Sequence, residues 1–363
     1  MDATDGYLIG VPSGVEEDAV PPGALVVIGA SAGGVEALRA LVAGLLPDLD
    51  AAVLVVLHIP RTGPSALAKI LGRTGPLPCA SAVDGESLES GRIYVAPADH
   101  HLLVLEGRIR LSHGPAENGH RPAVDPLFRS AARLFGNRTV AVVLSGARDD
   151  GTAGAATVAA RGGRVLVQDP DDALHASMPR SVIEHVGADR ICPAAKLGPV
   201  VAEVVAALGE KPANPGSASN ADAKLAALET AMANMEDLTS DVMALRPAGL
   251  ACPSCHGALF ELPGEPMPRY RCWVGHAWSP QSLLDEQAAA FEGALWMALR
   301  SLEEKASLAR RLRSSAEKRG DVGTAERYEA MREDAEQAGR LIRELISRID
   351  VLTEVPDGVE PIA

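Results

Sequence analysis

Aromatic residues are scarce, at 3% of a 363-residue chain, so any core must be filled by Ala, Val and Leu. The 47% apolar content is enough for a substantial one. Basic excess is missing too. The formal net charge of -14 argues against a general nucleic-acid or anionic-membrane surface, leaving at most a local basic patch. No apolar run approaches the ~20 residues of a membrane-spanning helix. No N-terminal stretch has the basic-then-apolar pattern of a secretory signal, so the expected location is cytoplasmic. The five cysteines fit a reduced compartment with a metal site better than a disulfide framework. The length suggests two or three domains.

Residues 1–22 are acidic and rich in Pro and Gly, and are expected to form a loose tail. Residues 23–209 read as α/β, with short Val-rich runs at 25–29, 52–58, 139–144 and 164–168 and further strands at 92–96 and 190–192. Continuous apolar strands of this kind belong to a parallel sheet covered on both faces. The segments 101–106 and 108–112, joined through Gly107, read as an antiparallel hairpin. Helices fit 34–45, 65–71, 126–135, 151–160, 179–184 and 197–208. A linker is expected at 210–220, then a helix at 221–245 ended by Pro247 and Gly249. A small cysteine-containing module follows to 279, and 280–363 is a helical region broken at 320–323 into an antiparallel pair. Its apolar stripe (Tyr328, Met331, Ala335, Ala338, Ile342, Leu345, Ile349 and Leu352) is a packing surface, within the domain or for self-association. The fold class expected is a doubly wound, mostly parallel, Rossmann-like three-layer α/β sheet, followed by a zinc-ribbon-like module and a helical hairpin.

Three strand ends carry groups suited to chemistry. Residues 29–34, Gly-Ala-Ser-Ala-Gly-Gly, link an apolar strand to a helix. A serine held between glycines on such a turn exposes its hydroxyl, and the helix N-terminus offers N–H groups to an oxyanion near Ala32, Gly33 and Gly34. Phosphate binding is the competing use of a glycine-rich turn. No G-x-G pattern or acidic ribose-binding strand end near residue 55 supports it. His58 closes the second apolar strand, and Asp149 and Asp150 follow the strand at 139–144. A histidine base and an orienting carboxylate are what a nucleophilic serine requires. Taken singly, His58 also fits a structural hydrogen bonder and Asp150 a helix cap.

Seven ordered stretches carry a resemblance: Gly-Ala-Ser-Ala-Gly-Gly at 29–34, His-Ile-Pro at 58–60, Asp-Gly-Glu at 84–86, Ile-Tyr-Val-Ala-Pro-Ala-Asp-His-His at 93–101, His-Arg-Pro-Ala-Val-Asp at 120–125, Leu-Ser-Gly-Ala-Arg-Asp-Asp-Gly at 144–151 and Met-Pro-Arg at 178–180. They resemble the catalytic domain of the chemotaxis protein-glutamate methylesterases, the CheB family. The resemblance implies a Ser31–His58–Asp150 triad, hydrolysis of glutamyl methyl esters without a catalytic cofactor, and a protein-glutamine deamidase activity through the same acyl intermediate. It implies a methylated chemoreceptor or similar signalling protein as partner, with a methyltransferase or regulator nearby; the acidic charge makes no nucleic acid the expectation. Family members often carry threonine where this chain has Ala32, and methionine and glycine where it has Ala147 and Arg148. The alternative is a catalytically idle signalling scaffold. Family members ordinarily carry an N-terminal receiver domain, and residues 1–22 are too few to form one.

A second chemical signal lies in the module. Cys252 and Cys255 form a C-x-x-C pair, and Cys272 and His276 follow after sixteen intervening residues. Three thiolates and an imidazole on two turns are a common tetrahedral zinc set with no open position, hence a structural Zn2+. A redox C-x-x-C lacks its βαβ context here. Tyr270, Trp273 and Trp278 are expected to cover the site.

Overall fold

The computed structural model describes residues 22–62, 65–209, 220–236, 246–264 and 267–353. The expected tail and linker therefore lie almost wholly outside the described residues. The chain divides into two compact units, Met1–Gln281 and Ser282–Ala363.

The first unit is built on a seven-stranded sheet with all neighbours parallel. Its strands are β1 (Ala24–Ala30), β2 (Ala51–Leu57), β3 (Cys79–Ser81), β4 (Ile93–Val95), β7 (Thr139–Val143), β8 (Arg164–Gln168) and β9 (Arg190–Cys192), in the order β3-β4-β2-β1-β7-β8-β9. β1, β2 and β7 are buried along their whole length, which is why each reads as an uninterrupted apolar run. Alternate residues serve opposite layers: Val26 and Ile28 face one core cluster, Leu25 and Val27 the other. The first cluster takes in α1 (Gly34–Ala43), α2 (Leu67–Leu71) and α6 (Ala194–Gly209). The second takes in α3 (Val124–Phe135), α4 (Thr152–Ala160), α5 (Ser177–His185) and the antiparallel hairpin of β5 (His101–Leu105) and β6 (Arg108–Ser112). The three-layer doubly wound architecture expected from the sequence is what is observed. β3 is not legible from pattern, because its three residues are only partly covered.

The helix expected at 221–245 is shorter. α7 spans Asn220–Ala233, residues 237–245 lie outside the described residues, and β10 (Arg246–Ala251) is a strand that contains Pro247 and Gly249. β10 stands at the edge of a four-stranded antiparallel sheet with β11 (Ala258–Leu262), β12 (Arg269–Cys272) and β13 (Ala277–Trp278). Its register shifts between Pro247 and Ala251, and Gly249 takes φ 71°. An edge strand with a bulge tolerates both residues.

This module and α7 pack into the first unit around a buried ionic cluster. Glu117 accepts hydrogen bonds from Arg129 (2.8 Å) and Arg271 (2.9 Å), and Glu229 of α7 accepts from Arg269 (2.8 Å) and Arg271 (3.2 Å). Glu117, Glu229, Arg129 and Arg271 are each no more than 2% exposed. Burial alone would push both carboxyls up, but the guanidinium charges of Arg129 and Arg271, joined at Glu229 by Arg269, hold them down, Glu229 to about 2. Both therefore titrate lower folded than unfolded. Their stabilisation is complete above the ordinary value of 4.5 and is lost as pH falls through the folded values. Stability in thermal melts should fall between about pH 4.5 and 2. Arg271→Met should lower it by about 3–5 kcal/mol at neutral pH, because it strands buried carboxylates. A variant as stable as wild type would remove the cluster from the account.

The second unit holds nearly all of α8 (Pro280–Lys318) and the whole of α9 (Val322–Thr353). Pairs Arg310–Glu336, Arg313–Glu329 and Arg343–Glu303 run between the helices in antiparallel register, as the break at 320–323 predicts. The stripe on α9 is divided. Ala335 is buried, Tyr328, Ala338 and Ile342 are half-buried, and Met331 and Leu345 are exposed, while the side chains of Ile349 and Leu352 lie outside the described residues. Among the described residues no helix is long and apolar enough to cross a membrane.

Candidate active site

The strand order reverses direction between β1 and β7: the chain builds outward from β1 through β2 and β4, then returns to add β7, β8 and β9 on the other side. Open α/β sheets bind ligands at the carboxyl ends beside such a switch point. Ser31 follows β1, His58 follows β2 and Asp150 lies beyond β7, so three adjacent strands deliver the three groups to one rim. Backbone bonds continue past the strands and hold the rim: His58 N–H to Ala30 O (3.1 Å), Ser31 N–H to Ser145 O (2.9 Å) and Leu144 N–H to Gly29 O (2.9 Å).

The groups meet. His58 Nδ1 lies 3.1 Å from Ser31 Oγ, and His58 Nε2 lies 2.7 Å from Asp150 Oδ2. With its proton on Nε2, the imidazole donates to Asp150 and leaves Nδ1 to accept from the serine hydroxyl. The two ring nitrogens thus exchange the places they hold in the serine-protease arrangement. The His58 and Asp150 side chains are 5% and 2% exposed, so the pair is shielded while Ser31 remains half-buried at the surface of the rim. Of the two candidate aspartates, Asp150 takes the imidazole and Asp149 accepts from Ser279 Oγ (2.7 Å).

Burial alone would push the Asp150 carboxyl up. The His58 hydrogen bond and charge, with the Val124 N–H (2.7 Å), hold it well below the usual carboxylate range. Asn118 Nδ2 (3.0 Å) and Gly151 N–H (3.0 Å) also donate to it. Asp125 has the opposite balance: burial, then the Asp150 charge, pushes it well up. It accepts from the N–H groups of Gly151 (3.0 Å) and Gly154 (2.7 Å) and so ties α3 to the start of α4. Arg121, four residues before Asp125 in the same motif, does not pair with it. Arg121 pairs with Asp99 at 2.7 Å and donates to the carbonyls of His113 and Gly114. His120 stacks on His58 with centroids 3.7 Å apart and planes 14° from parallel. Burial, then the neighbouring His58, lowers His120 to about 4, so it is a neutral ring at pH 7.

The glycines of the rim are steric necessities at two points. Gly33 has φ 71°, in the left-handed region. A Cβ at Gly146 would lie 2.0 Å from Met178 Sδ and 2.9 Å from Ser31 Cβ. The motif at 178–180 has its explanation here: buried Met178 packs under Gly146 and donates its N–H to Gly146 O (3.0 Å). Of the expected oxyanion donors, Gly34 N–H is engaged by Ser31 O (2.9 Å), while Ala32 and Gly33 make no such backbone bond among the described residues. Ala147 is exposed and Arg148, at φ 65°, half-buried beside the rim.

In the four-stranded module, the donor atoms of Cys252, Cys255, Cys272 and His276 all lie within 4.8 Å of one another. Cys255 Sγ is 3.6 Å from Cys272 Sγ, and Cys272 Sγ is 3.5 Å from His276 Nδ1. Metal–sulfur and metal–nitrogen bonds of ~2.3 and ~2.0 Å on a tetrahedron separate donors by roughly 3.5–3.8 Å, so the set fits. The buried Trp278 donates its indole N–H to Cys252 Sγ (3.4 Å). Trp273, expected to cover the cluster, is instead 45% exposed.

Residues 26–201 match the model of the family described as CheB methylesterase. A protein-glutamate methylesterase/protein-glutamine glutaminase 2 of Methanosarcina mazei is 34% identical over 50% of this chain and 52% of its own length. One of the same name from Anaeromyxobacter dehalogenans is 40% identical over 47% and 50%. The crystal structure of the Thermotoga maritima CheB methylesterase catalytic domain is 36% identical and covers 50% of this chain and 98% of that one, with a TM-score of 0.48. The chain spans about half the length of the curated relatives it matches.

Proposed function

Because residues 26–201 form a CheB methylesterase domain, we propose that this chain hydrolyses glutamyl methyl esters on a chemoreceptor-like signalling protein. The observation that carries the reading is the continuous Ser31–His58–Asp150 hydrogen-bond chain across three adjacent strand ends. Ser31 Oγ attacks the ester carbonyl as His58 Nδ1 takes its proton. Asp150 holds the tautomer and stabilises the imidazolium. The N–H groups of Ala32 and Gly33 are the donors proposed for the oxyanion. The protonated His58 then gives its proton to the leaving methoxide, and methanol departs. Water, deprotonated by His58, releases the glutamate carboxylate and restores Ser31. A glutamine side chain would follow the same course with ammonia leaving. The name that both relatives carry, methylesterase and glutaminase, supports including that second activity. A fluorophosphonate probe should label the wild-type chain at Ser31 and leave Ser31→Ala unlabelled. Equal labelling of both would return the chain to the scaffold reading.

We further propose that Cys252, Cys255, Cys272 and His276 hold a structural Zn2+. Burial, then the neighbouring Cys252, pushes the Cys272 thiol up to about 12, and a divalent cation is what would let this sulfur ionise. Trp278 would orient the Cys252 sulfur from outside the ligand set. With four protein ligands the ion would supply folding energy and no chemistry. Elemental analysis after chelator-free purification should give about one zinc per chain. A value near zero removes the assignment.

A further inference from the structure

The cysteine module and the catalytic rim are joined by one short path of buried groups. Cys252 accepts from the Trp278 indole, and the residue after Trp278 is Ser279. Ser279 donates its backbone N–H to Asn118 Oδ1 (2.9 Å) and its hydroxyl to Asp149 Oδ1 (2.7 Å). Asn118 in turn donates its amide to Asp150 Oδ1 (3.0 Å) and Asp125 Oδ2 (3.1 Å). The backbone follows the same route. Glu117 and Ala277 form a parallel bridge, and Asn118 N–H donates to Ala277 O (2.8 Å). The residue before Ala277 is His276, a member of the donor cluster.

An asparagine side chain has one acceptor end and one donor end of nearly the same shape. What decides which end faces Asp150 is the group at the other end. Ser279 N–H can only donate, so it takes the Asn118 oxygen and turns the NH2 toward the two carboxyls. Displacing Ser279 removes this donor from the oxygen end and loosens the amide that faces Asp150. Asn118 sits at φ 51°, a left-handed conformation that asparagine tolerates, so the turn that presents it is built for this residue.

We infer that the Cys-His module is part of the seat of the catalytic carboxylate: metal loading orders β13 and Ser279, and through Asn118 this fixes Asp150 against His58. Asn118 and Ser279 are positioning residues, since neither faces the Ser31 hydroxyl. The inference rests on the esterase and zinc readings above. It makes the methylesterase rate depend on the metal state of a module that contributes no group to the triad.

The test uses the full chain as wild type, Cys255→Ser, Asn118→Gly and their double variant. Three readouts are taken: metal content, kcat and KM for ester hydrolysis, and amide hydrogen exchange over 116–125 and 149–154. Loss of one oriented hydrogen bond to a charged group predicts a fall in kcat of about 10- to 100-fold for Asn118→Gly, with KM within about twofold. Glycine keeps the left-handed turn, so this variant folds. Cys255→Ser loses metal, shows the same fall, and exchanges faster at Asn118 and Gly151. The double variant is no slower than the worse single one, because both changes act on one seat. Should Cys255→Ser misfold, chelation of wild type with zinc re-addition gives the same comparison reversibly. Metal-free protein with wild-type kcat and unchanged exchange overturns the inference and leaves the esterase reading standing. Metal-dependent exchange in a chain that hydrolyses no ester supports the seat and refutes the esterase reading.

Discussion

Ser31→Ala should lower kcat for glutamyl methyl ester hydrolysis by ~10^4-fold or more while leaving the melting temperature unchanged. The size follows from the role. Removing Oγ removes the atom that bonds to the acyl carbon, and neither His58 nor Asp150 can replace it. The stability forecast follows from the surroundings. Ser31 is half-buried, and its backbone N–H bond to Ser145 O does not involve the side chain. The variant should also retain the His58–Asp150 contact, which lies on the far ring nitrogen. Steady-state methanol release and a thermal melt check both halves together. A variant with wild-type turnover would end the serine mechanism.

Asp150→Asn should be nearly as damaging to rate, on the order of 10^4-fold in kcat, the loss seen when a triad aspartate becomes asparagine in a serine protease. Asparagine presents either its oxygen, losing the charge that stabilises the imidazolium, or its NH2, forcing His58 into the tautomer with its proton on Nδ1. That tautomer cannot accept from Ser31. Unlike Ser31→Ala, this change should also cost stability, about 1–3 kcal/mol. Asp150 accepts from the N–H groups of Val124, Gly151 and Asp125, from Asn118 and from His58, and an asparagine NH2 placed among those donors leaves at least one unmatched. Part of that cost should be returned by Asp125, whose carboxyl is pushed up partly by the Asp150 charge and would ionise more readily beside a neutral residue. The two variants therefore separate a nucleophile, lost without structural cost, from an orienting carboxylate embedded in its support. Kinetics and denaturant titrations on both proteins give the comparison.

Much of this was legible because a covered parallel sheet writes itself as apolar runs. β1, β2 and β7 contain no polar residue before their carboxyl ends except Thr139, so Ser31 and His58 stand out as the first reactive groups after their runs, and Asp149 and Asp150 as the carboxylates of the loop after the third. The cysteine cluster was legible for a different reason: ligand pairs sit close in sequence, and their spacing survives whatever fold surrounds them. The support of the triad was not legible. Asn118 and Ser279 are 161 residues apart, and a single hydrogen bond between two loops leaves no periodic trace. Arg121 found Asp99 rather than Asp125 because Asp125 is taken by the N–H groups of the α4 turn, a backbone demand that side-chain pairing rules do not reveal. β10 reads as a stop signal, since Pro247 and Gly249 end helices more often than they sit in strands. Its edge position and bulge exist only once β11 is beside it.

The measurement that bears most directly on the proposed activity is release of labelled methanol from a receptor methylated on its glutamates, with wild type and Ser31→Ala run side by side. The account predicts steady release by wild type and only background release by the variant. Equal rates from the two proteins, or background release from a wild-type chain whose Ser31 reacts with the fluorophosphonate probe, would contradict it.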